Sequence, residues 1–302
     1  MQIVLHIGPH KTGTTSIQQY LKAHFGSHRP SASNWYPMPA ERGPGHSILA
    51  CDLFDNDGTA LLEVIRQADL MGTDRLLISA EAFDRFYRRR MDRLVKTMDG
   101  HPLHLLVTLN SPIVRAASSW QESVKHGNPS DFNDWWPTLL KLPGYQPDFL
   151  RRYPEALGPS RISVVFSDRA RPAEELLFNV LEALMLPISS RERMGCRANV
   201  RLEYIECEVL RRLNELLREY GTELTKPEKH TLPESIIDLM HSKQWEDLCP
   251  AVPIQLPSPI LNELAEMAQR TVDDIDELTK HWPVSIHGER EVMLGVEDTA
   301  TK

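Results

Sequence analysis

The chemistry-bearing residues with the most telling spacing are Gly8-Pro9-His10-Lys11-Thr12-Gly13-Thr14-Thr15. They stand between a short apolar run, Gln2–Ile7, and a stretch with helical periodicity, Thr14–Phe25. A strand-to-helix junction collects free backbone N–H groups and the positive end of a helix, which together attract anions. The two glycines permit a tight turn and close backbone approach. Thr14 and Thr15 add hydroxyl donors, and Lys11 adds a full positive charge. The segment reads as a cradle for a phosphate-like group. It departs from the triphosphate-binding pattern G-x-x-x-x-G-K-[ST], because Thr14 follows Gly13 and the lysine lies inside the loop. Asp168 is a weak candidate for the acidic Mg²⁺ partner that triphosphate hydrolysis needs, so that chemistry is disfavoured.

The elements that must position this loop alternate in type. Gln2–Ile7, Arg75–Ser79, Leu103–Leu109 and Arg161–Phe166 read as short buried strands. Helical patterns occupy 61–70, 91–98, 113–126 and 173–184 between and after them. This order predicts an α/β fold of P-loop-like type, three layers with a central, mainly parallel sheet. Residues 202–220 and 261–282 read as added C-terminal amphipathic helices, and no further strong strand is expected. The prolines mark connecting loops at 37–44, 137–159 and 227–259. A single α/β domain over 1–285, mainly helical from 191, is expected, followed by a loosely ordered tail at 286–302.

Composition bounds the function. The 302 residues carry 34 Lys+Arg against 42 Asp+Glu, a net charge of −8, which argues against a nucleic-acid partner. No apolar run is long enough for a membrane span. The first residues do not read as a signal peptide. The four cysteines, Cys51, Cys196, Cys207 and Cys249, have no Cys-x-x-Cys spacing, so reduced thiols, no metal and a cytoplasmic setting are expected.

The string HIGPHKTGTTSIQ, with Lys11-Thr-Gly-Thr-Thr-Ser after the first strand, resembles the 5′-phosphosulfate loop of sulfotransferases. The wider string is similar to a bacterial, carbohydrate-sulfotransferase-like branch of that family. The resemblance is strong over residues 3–18 and weak over most of 1–220. It implies an enzyme that uses 3′-phosphoadenosine 5′-phosphosulfate (PAPS) and releases 3′,5′-adenosine bisphosphate. It assigns cofactor contacts to Lys11, Thr12, Gly13, Thr14 and Thr15. The family's second cofactor element follows a central strand and is matched in part by Asn110-Ser-Pro-Ile-Val-Arg115-Ala-Ala-Ser118. Asn110 replaces the usual first Arg, which puts the 3′-phosphate clamp in doubt, because a dianion prefers Arg. Arg115 and Ser118 are the candidates there, and Lys125 and Gly127 resemble the branch pattern near the helix end. Arg197, ahead of a leucine-rich helix that contains Asn214, is a third cofactor candidate.

Transfer of a sulfuryl group to a hydroxyl or amine rests on positioning and charge stabilisation, and the acceptor loses a proton to a base. His46, in a loop leading into a helix, and Glu81, at the end of the strand Arg75–Ser79, are the two catalytic candidates beside Lys11. Each has a plain alternative as a helix-start residue. His10 faces either the phosphosulfate or the acceptor. His101 and His104 read as structural, and His24 and His28 as surface residues. Arg88-Arg89-Arg90 reads as a solvated face able to attract an anionic acceptor, and Trp120, Trp135 and Trp136 as packing residues. The expected activity is sulfation of a carbohydrate or small-molecule acceptor. The competing readings are a P-loop kinase or nucleotide hydrolase, and a non-catalytic binding protein that retains the fold.

Overall fold

The computed structural model describes residues 1–38, 43–87, 89–146, 148–168, 171–187, 204–221 and 258–294. The described residues fall into two compact units. The first lies within Met1–Ser111, Leu142–Ala198 and Met267–Leu294, the second within Pro112–Lys141, Asn199–Glu266 and Gly295–Lys302.

The first unit holds seven strands: β1 (Gln2–Ile7), β2 (Gly26–Ser27), β3 (Asn34–Pro37), β4 (Arg75–Ser79), β5 (Leu103–Leu109), β6 (Arg161–Phe166) and β7 (Val284–His287). They form one sheet in the order β2-β3-β4-β1-β5-β6-β7, with every pairing parallel. The expected α/β fold with a parallel central sheet is therefore present. β1 sits between β4 and β5, in register Val4↔Leu77 and Val4↔His104. The chain leaves β1 toward one side of the sheet and later crosses to the other, so the loop after β1 lies at a topological switch point, where open α/β sheets bind ligands.

Side-chain alternation divides the core. Ile3, Leu5, Ile7, Leu76, Ile78, Leu105, Val107, Ile162 and Val164 pack on one face. There they meet α2 (Ser47–Asp55), α3 (Thr59–Leu70), α4 (Arg89–Met98) and α7 (Phe149–Leu157). Val4, Leu77, Leu106 and Val165 pack on the other face against α1 (Thr14–Phe25) and α8 (Ala173–Ala183). Polar residues share that second parity: His6, Ser79, His104, Thr108 and Ser163, all buried.

Three expectations differ from the structure. β2, β3 and β7 add strands that the apolar runs do not reveal: β2 has two residues, and β7 is half exposed, so its sequence VSIH is only weakly apolar. The last two residues of β7 and a 3-10 turn at Arg290–Met293 also fall where a loose tail is expected from residue 286. The proposed loop at 137–159 instead contains all of α7, with Pro154 inside it. A helix-interior proline costs about 3 kcal/mol. Burial of Phe149, Leu150 and Tyr153, at about 1.5–3 kcal/mol each, outweighs that cost.

In the second unit, α5 (Pro112–Lys125) packs against α6 (Phe132–Leu139) and α9 (Tyr204–Glu219). Asn214 donates to the carbonyls of Val124 at 2.8 Å and Asn128 at 3.3 Å, and Arg211 donates to that of Pro129 at 2.8 Å. Trp120 and Trp136 are buried here, with their indole N–H groups on the Ser130 carbonyl and the Glu263 carboxylate. α10 (Ser258–His281) spans the boundary between the units.

Candidate functional site

The loop at the C-terminal end of β1 is held in an unusual backbone conformation. Lys11 has φ 71° and Gly13 φ 83°, both left-handed. A lysine pays for that conformation in strain, which points to a positional demand on it. At Gly8 a Cβ would lie 2.1 Å from Thr14 Cγ2 and 2.5 Å from Thr108 Oγ1, so only glycine fits. Gly13 is the residue before α1, and no side chain caps that helix. The first N–H groups of a helix have no intrahelical partner, and α1 has no acidic residue in its first turn. The junction therefore places the positive end of α1 beside Lys11.

A buried hydrogen-bond chain fixes the loop from beneath. Thr12 Oγ1 donates to the Pro9 carbonyl at 2.8 Å. It must then accept from Thr108 Oγ1 at 3.0 Å, and Thr108 must accept from His6 Nε2 at 3.2 Å. His6 Nδ1 is left to accept from Ser79 Oγ at 2.8 Å, while Ser79 accepts from Gln18 Nε2 at 3.1 Å. All directions agree with a neutral His6 carrying its proton on Nε2. Burial lowers its pKa to about 4, against the opposing pull of the Glu81 charge. Thr12, expected to contact the anion, thus turns its hydroxyl into the fold and offers only backbone. His6, Thr108 and Gln18 were missed. For His6 and Thr108 the signal was a polar residue near the end of an otherwise apolar strand; Gln18 lies on α1 and carried none.

Glu81 reaches the loop from the end of β4. One carboxylate oxygen accepts from the Thr14 hydroxyl, and the other lies 2.7 Å from His10 Nδ1. The far nitrogen of His10, Nε2, lies 3.2 Å from Arg85 Nη2. Burial pulls the Glu81 pKa up, but the His10 hydrogen bond and charge, the Thr14 hydroxyl and the Lys11 charge hold it below the usual carboxylate range. The same hydrogen bond to Glu81 raises His10, against burial. The 3-10 turn Glu81–Arg85 that carries this group is clamped by α7. Arg152 donates to the Asp84 carbonyl at 2.7 Å, and the Tyr153 hydroxyl donates to that of Phe83.

His46 sits differently. It is buried; its Nδ1 accepts from the Ser79 N–H at 3.1 Å, so its Nε2 carries the proton and donates to the Pro37 carbonyl at 2.8 Å. Burial lowers its pKa to about 4. Both ring nitrogens are engaged by backbone, which makes His46 a tie between the β3 and β4 ends. Asp168, the weak Mg²⁺ candidate, pairs with Arg171 at 3.3 Å. Among the described residues, no cluster of His, Cys, Asp or Glu could hold a metal ion.

The structure therefore brings together His10, Thr14 and Glu81, beside Lys11. Thr15 is half-buried in the first turn of α1. Asn110 and Ser111 follow β5 in the same unit; Asn110 Oδ1 accepts from the Ser111 N–H at 2.8 Å. The Asn110 amide nitrogen and the Ser111 hydroxyl are buried without a partner among the described residues. Arg115 and Ser118 lie one turn apart on α5, both buried, in the second unit. Arg197 lies outside the described residues, as does Arg88. Arg89 and Arg90 are exposed, Arg90 resting over the Phe54 ring at 4.2 Å. Among the described residues, no helix is long and apolar enough to cross a membrane. No protein-family model matches the chain, and no curated protein matches it.

Proposed function

We propose that the chain is a PAPS-dependent sulfotransferase acting on a hydroxyl or amine of a carbohydrate or small-molecule acceptor. The observation that carries the reading is the loop after β1. It combines a left-handed Lys11, a Gly8 with no room for a side chain, and an uncapped helix start at the switch point of a parallel sheet. The group it suits is a compact anion gripped by backbone. The unpartnered Asn110 amide and Ser111 hydroxyl at the end of the adjacent strand fit a second polar group of the same ligand.

Within this reading the backbone N–H groups of 12–15 and the Thr15 hydroxyl hold the 5′-phosphate end of PAPS. Lys11 stabilises the negative charge that grows there during transfer. The cofactor supplies an activated sulfuryl group. Thr14 serves by its amide while its hydroxyl secures Glu81. His10, oriented by Glu81, is the proton acceptor in place of His46, whose nitrogens are committed to backbone. The free thiols of Cys51 and Cys207 suit a cytoplasmic setting.

Thermal unfolding in EDTA tests this directly. 3′,5′-Adenosine bisphosphate should raise the Tm by several degrees, as tight ligands do, and ATP with Mg²⁺ should not. A rise only with Mg²⁺–ATP would move the assignment to a P-loop kinase or nucleotide hydrolase. A Tm unmoved by either would leave a binding protein that retains the fold.

A further inference from the structure

His10 Nε2 is the one ring nitrogen of the His10–Glu81 pair that can receive a proton, since Nδ1 is turned to Glu81. Its single lone pair is already taken by Arg85 Nη2 at 3.2 Å. A base whose lone pair accepts a guanidinium proton cannot accept another. Arg85 must leave before His10 can act.

The hold on Arg85 is slight. Its side chain is 54% exposed, and its other polar contact among the described residues is to Asp84 Oδ1, 3.8 Å from Nε. What would draw it away is an oxyanion, which a guanidinium binds through paired, charge-assisted hydrogen bonds. A neutral acceptor would have to displace it with no such compensation. Two further cations, Arg89 and Arg90, are exposed on α4, whose first residue is four positions beyond Arg85. The groups facing His10 are Glu81, Asp84 and Arg85, the last opposing its protonation.

Resting on the sulfotransferase reading, we propose that Arg85 caps His10 in the resting protein and selects acceptors that carry a carboxylate or sulfate ester beside the reacting hydroxyl. The acceptor's anionic group takes the guanidinium and bares Nε2. The acceptor O–H proton then passes to Nε2, giving an imidazolium whose Nδ1–H stays on the Glu81 carboxylate. The oxygen's electron pair forms the new S–O bond. The S–O bond to the 5′-phosphate breaks, and its electron pair leaves on the phosphate oxygen.

The test has two arms on the full chain. In the first, ¹H–¹⁵N NMR follows the His10 titration in wild type and Arg85→Gln, each saturated with 3′,5′-adenosine bisphosphate. Removing the cap should raise the His10 pKa measurably, with bisphosphate affinity unchanged; an unmoved pKa overturns the cap. In the second, labelled PAPS is offered with matched pairs: methyl glucuronide against methyl glucoside, and 2-hydroxyphenylacetate against 2-methylphenol. Wild type should favour the anionic member at least about tenfold in kcat/KM. Arg85→Gln should lose the preference, and Arg85→Lys should regain part of it. Equal rates within both pairs, a preference that survives Arg85→Gln, or no transfer to any member by protein that binds the bisphosphate would each overturn the acceptor class. Failure of bisphosphate binding in wild type would instead sink the cofactor reading.

Discussion

Acidification from pH 7 to pH 5 should strip the protein of much of its stability, because three buried histidines are folded as neutral rings. His6, His46 and His104 each have a pKa lowered to about 4, with burial as the leading cause. Their unfolded value is about 6.5. The unfolded chain therefore binds more protons than the folded one between pH 6.5 and 4, and stability falls as pH falls through that window. At pH 5 each ring is almost fully protonated when unfolded and about nine-tenths neutral when folded. This costs about 2 kcal/mol per histidine, or about 6 kcal/mol for the three if they act independently. Whole domains of this kind are stable by only about 5–15 kcal/mol. His10 adds an opposite, smaller trend: its raised pKa contributes stability that is full below pH 6.5 and fades as pH rises through the folded value. Urea unfolding at half-unit pH steps reads the effect directly. The slope of stability against pH near 5.3 should correspond to between two and three protons, and His6→Gln should lower it by about one. A urea midpoint that is the same at pH 7 and pH 5, at constant m-value, would refute the account of these three rings.

Other perturbations follow from the same geometry. Gly8→Ala forces a methyl group into Thr14 and Thr108, so it should destabilise by about 1–3 kcal/mol and weaken bisphosphate binding; urea melts and calorimetry check the pair of effects. Glu81→Gln removes the main cause of the raised His10 pKa, so the NMR titration of His10 should move down, and an unchanged titration would count against the pairing. Asn214→Ala removes a buried donor to the Asn128 carbonyl and to that of Val124, which keeps the Gly127 N–H at 2.9 Å, and should cost about 1 kcal/mol, read as an earlier urea midpoint.

The central strands were legible because β1, β5 and β6 are nearly continuous apolar runs, the mark of strands buried on both faces. β3 and β7 were not, since NWYP and VSIH are short and lie away from the middle of the sheet. The loop at 8–15 announced itself by glycine spacing and position. Its internal wiring did not, because the partners of His6 and Thr12 are 73 and 96 residues away. The same limit applies to His46. A histidine between a loop and a helix reads as available, and only the fold shows that its two nitrogens meet the Pro37 carbonyl and the Ser79 amide. Glu81 lay within reach of sequence reasoning as a residue at a strand's C-terminal end. Its attachment to Thr14 and His10 depends on β4 lying beside β1.

The most direct measurement is a calorimetric titration of 3′,5′-adenosine bisphosphate, without Mg²⁺, into wild type and Lys11→Ala. The account predicts metal-free binding to wild type that weakens about ten- to a hundredfold in the variant, the loss expected for one charge-assisted contact. Equal affinity in the two proteins, or binding that appears only with Mg²⁺, would contradict the assignment of this loop.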